Sequence, residues 1–212
     1  MILSRRIVLS LLSALAFVPA TFAQQASHAA AIIDSMPLAT PIQEVAISPD
    51  GARVAYTSHG HLTVVTLESN SAQTIDVEGK LELRSPTWSP DSRQLAFLAD
   101  LAGEAPSAQL WTASTDGGTR VKRADLKGNA DAPTFSPDGS KIALLFIEGM
   151  PRQAGPLQPM TPLTGVVGEK VYEQRLATID LSSNTLTQIT PADIYIYEYD
   201  WTPDGQAWVA TA

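Results

Sequence analysis

Four short apolar runs recur along the chain, each opening just behind the same polar punctuation. They are residues 53–57 (Arg-Val-Ala-Tyr-Thr), 94–98 (Gln-Leu-Ala-Phe-Leu), 141–145 (Lys-Ile-Ala-Leu-Leu) and 206–210 (Gln-Ala-Trp-Val-Ala). Runs this short, bounded by turn residues, predict β-strands rather than helices. The punctuation is Ser48-Pro49-Asp50-Gly51, Ser89-Pro90-Asp91-Ser92, Ser136-Pro137-Asp138-Gly139 and Thr202-Pro203-Asp204-Gly205. Its prolines are 41, 47 and 66 residues apart. Repeats of about 40–45 residues made of short strands predict four-stranded propeller blades.

The repeat is turn chemistry. Proline fixes φ at the second position, Asp tolerates the third, and Gly at the fourth takes positive φ. Ser92 replaces that Gly in the second copy, so this turn is expected to be the more strained one. The residues before each Ser or Thr (Ile47, Trp88, Phe135 and Trp201) are expected to point into the packing between neighbouring blades. The four Asp residues invite a calcium or catalytic reading, but a residue repeated once per blade is explained by the turn alone.

The predicted organisation is all-β: an incomplete β-propeller of about three and a half four-stranded, WD40-like blades. Residues 24–40 form an Ala-rich lead-in, with one short helix expected near residues 26–34. Blades are placed at about 41–79, 80–128, 129–191 and 195–212, the last incomplete. Further strands are expected at 62–67 and 73–77, at 109–113 and 120–123, and at 172–180 and 186–190. Blade three carries an insert, residues 148–170, with Pro151, Pro156, Pro159 and Pro162. A loop this long without its own structure is uncommon and often functional. It falls between the second and third strands and is expected on the face opposite the Pro-Asp turns. Closed propellers hold roughly 4–8 blades, so the chain is expected to be part of something longer.

The N-terminus changes the picture from fold to address. Residues 1–23 begin with Arg5 and Arg6, continue through a mostly apolar stretch and end in Thr21-Phe22-Ala23. That is the order of a secretory signal peptide cleaved after Ala23. The apolar stretch is short of the roughly 20 residues a bilayer span needs. Ser4-Arg5-Arg6 also resembles a twin-arginine signal. Export to the periplasm or medium is expected, with no membrane attachment after cleavage.

Composition then excludes several chemistries. Cysteine is absent, which removes disulfides, thiolate metal sites and a Cys nucleophile. The net charge of −8 is the opposite of a nucleic-acid footprint. The three histidines are His28, His59 and His61. His59 and His61 alternate and would share a face in a regular strand, but no third zinc ligand stands near them, and they read as loop histidines. Arg120, Lys122 and Arg123 read as a solvated outer strand. Tyr195, Tyr197 and Tyr199 alternate with Ile194, Ile196 and Glu198, which suits strand packing better than peptide stacking in a tunnel. Gly117-Gly118 is a turn and not a phosphate loop. No cofactor or metal is called for.

The Trp-Ser-Pro-Asp and Phe-Ser-Pro-Asp-Gly repeats resemble the propeller of the prolyl oligopeptidase family, which includes dipeptidyl and acylaminoacyl peptidases. They also resemble the TolB-like periplasmic propellers. The Pro-rich insert and the run from Thr178 to Asp204 favour the peptidases. That resemblance implies a non-catalytic, substrate-gating propeller that covers a C-terminal α/β-hydrolase domain and admits short peptides. The family's nucleophile sits in Gly-x-Ser-x-Gly. No Gly here is followed two residues later by Ser, so no catalytic residue is assigned. The alternative reading is a TolB-like interaction scaffold.

Overall fold

The computed structural model describes residues 41–79, 81–101, 108–116, 118–150 and 172–212. The lead-in helix, the leader and most of the Pro-rich insert lie outside these residues. The described residues form fourteen strands in four antiparallel sheets. Sheet one holds β1 (Glu44–Ile47), β2 (Arg53–Ser58), β3 (His61–Thr66) and β4 (Ser71–Ile75). Sheet two holds β5 (Leu81–Trp88), β6 (Gln94–Leu101), β7 (Ala108–Ser114) and β8 (Arg120–Leu126). Sheet three holds β9 (Gly128–Phe135), β10 (Lys141–Glu148), β11 (Arg175–Asp180) and β12 (Thr185–Gln188). Sheet four is the hairpin β13 (Glu198–Trp201) and β14 (Trp208–Thr211). Strands pair in sequence order within each sheet.

The sheets pack face to face, and this explains the sequence of their second strands. Leu95, Phe97 and Ala99 of β6 join Ala55, Leu62 and Val64 of sheet one. The alternate residues Ala96 and Leu98 join Ile142, Leu144 and Phe146 of sheet three. A strand covered on both sides reads as one apolar run, not as apolar and polar residues in alternation. β10 behaves in the same way: its Ala143 and Leu145 pack with Leu176, Ile196 and the sheet-four aromatics. Truncating one such fully buried Leu or Phe to Ala costs about 2–5 kcal/mol.

Each Pro-Asp turn is held by one repeated clasp. In the third, the Gly139 N–H donates to Ser136 O at 2.8 Å, and Ser136 Oγ donates to Asp138 Oδ1 at 2.6 Å. The same carboxylate accepts Ser140 N–H, while Ser136 Oγ accepts Lys141 N–H. The first, second and fourth turns repeat the Ser/Thr-to-Asp bond at 2.6 Å. Gly51, Gly139 and Gly205 have φ of 69, 72 and 67°, and Ser92 adopts φ 60° in the corresponding place. The strain expected at Ser92 is therefore present in its backbone.

Two details differ from the sequence reading. Trp88 and Phe135 are buried between sheets, but Ile47 is 66% exposed because no described sheet lies against that side of sheet one. The fourth sheet begins at Glu198, not Tyr195, because Ile196 is drawn towards sheet three. Its N–H donates to Gln174 O at 2.8 Å, and Gln174 Nε2 donates back to Ile196 O at 2.7 Å. His59, read as a loop histidine, lies in the two-residue turn between β2 and β3 with φ 50°, next to Gly60 at 77°, and does not share a strand face with His61.

Candidate functional site

The first strands β1, β5 and β9 lie beside one another along one edge of the stacked sheets. Their polar side chains form a network that crosses every junction. Two irregularities build it. In β5, Ser85 and Pro86 together stand opposite the single residue Phe97, between the pairs Arg84–Leu98 and Thr87–Ala96. In β9, Ala132 and Pro133 likewise stand opposite Leu144 alone, between Asp131–Leu145 and Thr134–Ala143. Such bulges re-aim the strand and leave backbone groups unpaired. Ser85 and Ala132 have φ of 51 and 50°, although each precedes a proline. Left-handed backbone at such residues costs about 1–3 kcal/mol and persists only when neighbours hold it.

The neighbours that hold it come from adjacent sheets. Glu44 Oε2 of β1 accepts Ser85 N–H at 2.5 Å and the Thr57 hydroxyl at 3.3 Å. Ser85 Oγ donates to Asp131 Oδ1 at 3.2 Å. Arg84 donates to both carboxylate oxygens of Asp100, at 2.7 and 3.3 Å, and to Ala130 O at 2.7 Å. Its Nη1 also lies 3.6 Å from Asp131. Tyr199 of β13 places its hydroxyl 2.7 Å from Ala143 O, 2.9 Å from Thr134 Oγ1 and 2.5 Å from Ala132 O. Burial pushes the Tyr199 phenol well above its ordinary range, so it remains a neutral donor at physiological pH.

Chemically, the edge is a set of carboxylates around one guanidinium. Asp100 is buried and spent on Arg84, whereas the Asp131 side chain is 64% exposed. Ser85 Oγ bonds to a carboxylate rather than to an imidazole. The described groups position backbone and present hydrogen-bonding oxygens. Among the described residues no group of three His, Cys, Asp or Glu is arranged to hold a metal ion.

The other sequence candidates fall elsewhere. His59 Nδ1 lies 3.2 Å from Ser58 Oγ, and His61 is exposed at the start of β3. Lys122 pairs with Asp125 at 2.8 Å on the outer strand. Arg123 instead ties two sheets together, donating to Thr112 Oγ1 at 2.8 Å and to Leu181 O at 3.0 Å. Tyr195 and Tyr197 are exposed, with ring centroids 5.0 Å apart, ahead of the strand that carries Tyr199. Gly118 N–H caps Asp116 at 3.1 Å, and Ser114 Oγ donates to the same carboxylate. That turn is a fifth copy of the clasp without the proline, so the Pro-Asp repeat does not reveal it. The network Glu44–Ser85–Asp131 was also missed. Its available signal was the pair Ser85-Pro86-Thr87-Trp88 and Ala132-Pro133-Thr134-Phe135, since proline inside a strand marks a bulge or an edge.

The architecture matches solved structures. The tricorn protease structure superposes with a TM-score of 0.56 at 12% identity, over 82% of this chain and 15% of that one. The described sheets are blades of a β-propeller. By sequence, the propeller is 34% identical over 104 residues to the uncharacterized peptidase YuxL of Bacillus subtilis, covering 45% of this chain and 16% of the relative. It is 31% identical over 102 residues to a TolB homologue of Chlorobium chlorochromatii, covering 47% of this chain and 22% of the relative. Both expected resemblances, to peptidase propellers and to TolB, are therefore present. The matched segment spans less than a quarter of either relative's length. No protein-family model matches the chain.

Proposed function

We propose that this propeller is the non-catalytic, substrate-gating portion of a secreted serine peptidase of the prolyl oligopeptidase type. The observation that carries the reading is the 34% identity to a peptidase over 104 residues. The blade-three insert supports it. It joins β10 to β11, at the end of the sheet opposite the Pro-Asp turn between β9 and β10. In this reading residues 1–23 are a leader removed on export, 24–40 a lead-in, and 41–212 propeller. The partner is an α/β-hydrolase domain that supplies nucleophile, base and oxyanion hole, and the substrate is a short peptide.

The test is expression from the whole reading frame, followed by labelling with a fluorophosphonate probe and assay on short chromogenic peptides. Covalent labelling of a serine outside residues 1–212, with turnover, is the expected result. A complete product that neither labels nor cleaves, and instead captures a cell-envelope protein, overturns it in favour of the TolB-like scaffold. The 31% identity to a TolB homologue favours that second reading.

A further inference from the structure

The three junctions between described sheets are closed differently on the side of the Pro-Asp turns. In the first three turns the residue five places after the Ser donates its N–H to that Ser hydroxyl: Arg53, Gln94 and Lys141 in order. At the first junction Arg53 crosses to the next sheet. Its Nη1 donates to Ser92 O at 3.0 Å and to Thr115 Oγ1 at 3.3 Å. Ser92 also bridges the two turns, accepting Asp50 N–H on its Oγ at 3.1 Å. The third junction has Lys141 in the place of Arg53, and its turns approach closely: a Cβ on Gly205 would lie 3.3 Å from Pro137 Cδ.

The second junction has neither device. Gln94 stands in the place of Arg53 and Gly139 in the place of Ser92, and a Cβ on Gly139 would lie 3.9 Å from Pro90 Cδ. A cleft of about 210 Å³ remains here, between two four-stranded sheets. Pro90, Pro137 and Phe135 supply its apolar lining, and Asp91, Asp138 and Gln94 its polar groups. Hydrogen bonds from the Ser89 and Ser136 hydroxyls hold both carboxyls below their ordinary range, so both are ionised at neutral pH. Pockets that take whole small molecules run to about 300–1,000 Å³, so this cleft has room for one side chain.

We propose that the cleft between the second and third Pro-Asp turns receives an arginine side chain of a partner protein, in the place that Arg53 fills at the first junction. A guanidinium is the group the molecule itself seats between two such turns. It is always charged, pairs with carboxylate oxygens, and is weakly enough hydrated to lie against apolar rings, which an ammonium is not. The net charge of −8 favours the approach of a cationic segment. The cleft lies at the end of the sheets opposite the blade-three insert, so the inference is independent of the gating reading and of any hydrolase domain.

An amide-correlation NMR titration of the purified chain with a blocked glycine-arginine-glycine peptide tests the proposal. The Gly139 N–H and the Gln94 side-chain amide signals should shift and saturate. The same peptide with citrulline, alike in shape but uncharged, should leave them in place. Gln94→Arg supplies the guanidinium from the chain itself, at an exposed position, so it should fold by circular dichroism and compete with the peptide. A cleft filled by that side chain nine-tenths of the time would bind the peptide about tenfold more weakly. The absence of a saturable shift at these two residues overturns the proposal. So do equal shifts with citrulline, which need no variant to read, or unchanged binding to folded Gln94→Arg.

Discussion

Trp88 reaches across the first junction and donates its indole Nε1–H to the carbonyl of Ala46 at 3.0 Å. Trp201 repeats the arrangement with Thr134 at 3.4 Å, two sheets further on. In both cases the acceptor is the penultimate residue of the neighbouring first strand. The apolar ring fills the space between sheets while the polar tip satisfies a strand carbonyl.

This relationship separates two contributions of one side chain. Trp88→Phe should keep most of the buried area and lose the hydrogen bond, at about 1 kcal/mol. Trp88→Ala should lose both and cost about 3–5 kcal/mol. Urea unfolding monitored by far-UV circular dichroism reads the two values. Equal losses would mean that the buried ring contributes nothing beyond the indole hydrogen bond.

The Pro-Asp turns were legible because their cause is local. Ser, Pro, Asp and Gly supply the donor, the fixed φ, the acceptor and the positive φ within four residues, so the pattern is complete in the sequence. The continuous apolar run of β6 gave away burial for a similar reason. The bulges at Ser85 and Ala132 have causes far along the chain: Glu44 lies 41 residues before Ser85, and Tyr199 lies 67 after Ala132. Only the prolines that follow marked the spots. The Tyr195–Tyr199 alternation misled for the same kind of reason. Ile196 is claimed by Gln174, and the strand starts after it.

The three turn glycines separate backbone strain from crowding. Each has φ near 70°, so an alanine at any of them carries a cost of about 1–3 kcal/mol from the backbone. Gly51→Ala meets nothing and Gly139→Ala meets Pro90 at ordinary contact distance, so these two should lose similar stability. Gly205→Ala crowds Pro137 at 3.3 Å and should lose more. Melting temperatures of the three variants check the order, and a Gly51→Ala loss as large as that of Gly205→Ala would remove the packing component.

Tyr199 should resist titration. Spectrophotometric titration of the phenols should show one phenol remaining neutral until the protein unfolds. Tyr199→Phe should abolish that late phase. It also strands Ala143 O and Thr134 Oγ1, which costs about 1–3 kcal/mol for buried groups left unpaired.

The turn carboxylates give the propeller a defined acid limit. The Ser136 hydroxyl, then the Ser140 amide and hydroxyl, hold the Asp138 carboxyl at about 2. The Ser182 hydroxyl, with the Ser183 and Ser182 amides, holds Asp180 at about 2 as well. Hydrogen bonds from Ser48, Ser89 and Thr202 lower Asp50, Asp91 and Asp204 in the same direction. A carboxyl depressed on folding contributes stability that is complete above its unfolded value, about 3.9. That contribution is lost as pH falls through the folded value. The urea midpoint should therefore be flat down to about pH 4 and fall between there and pH 2. Asp138→Asn removes one charged acceptor, so it should lower the midpoint at neutral pH and flatten the fall below pH 4. These side chains are solvent-exposed, so each step is small and the repeated clasp makes the sum measurable. A midpoint that falls between pH 7 and 5 would instead point to a histidine or a raised carboxyl elsewhere in the chain, and Asp138→Asn would then leave the slope unchanged.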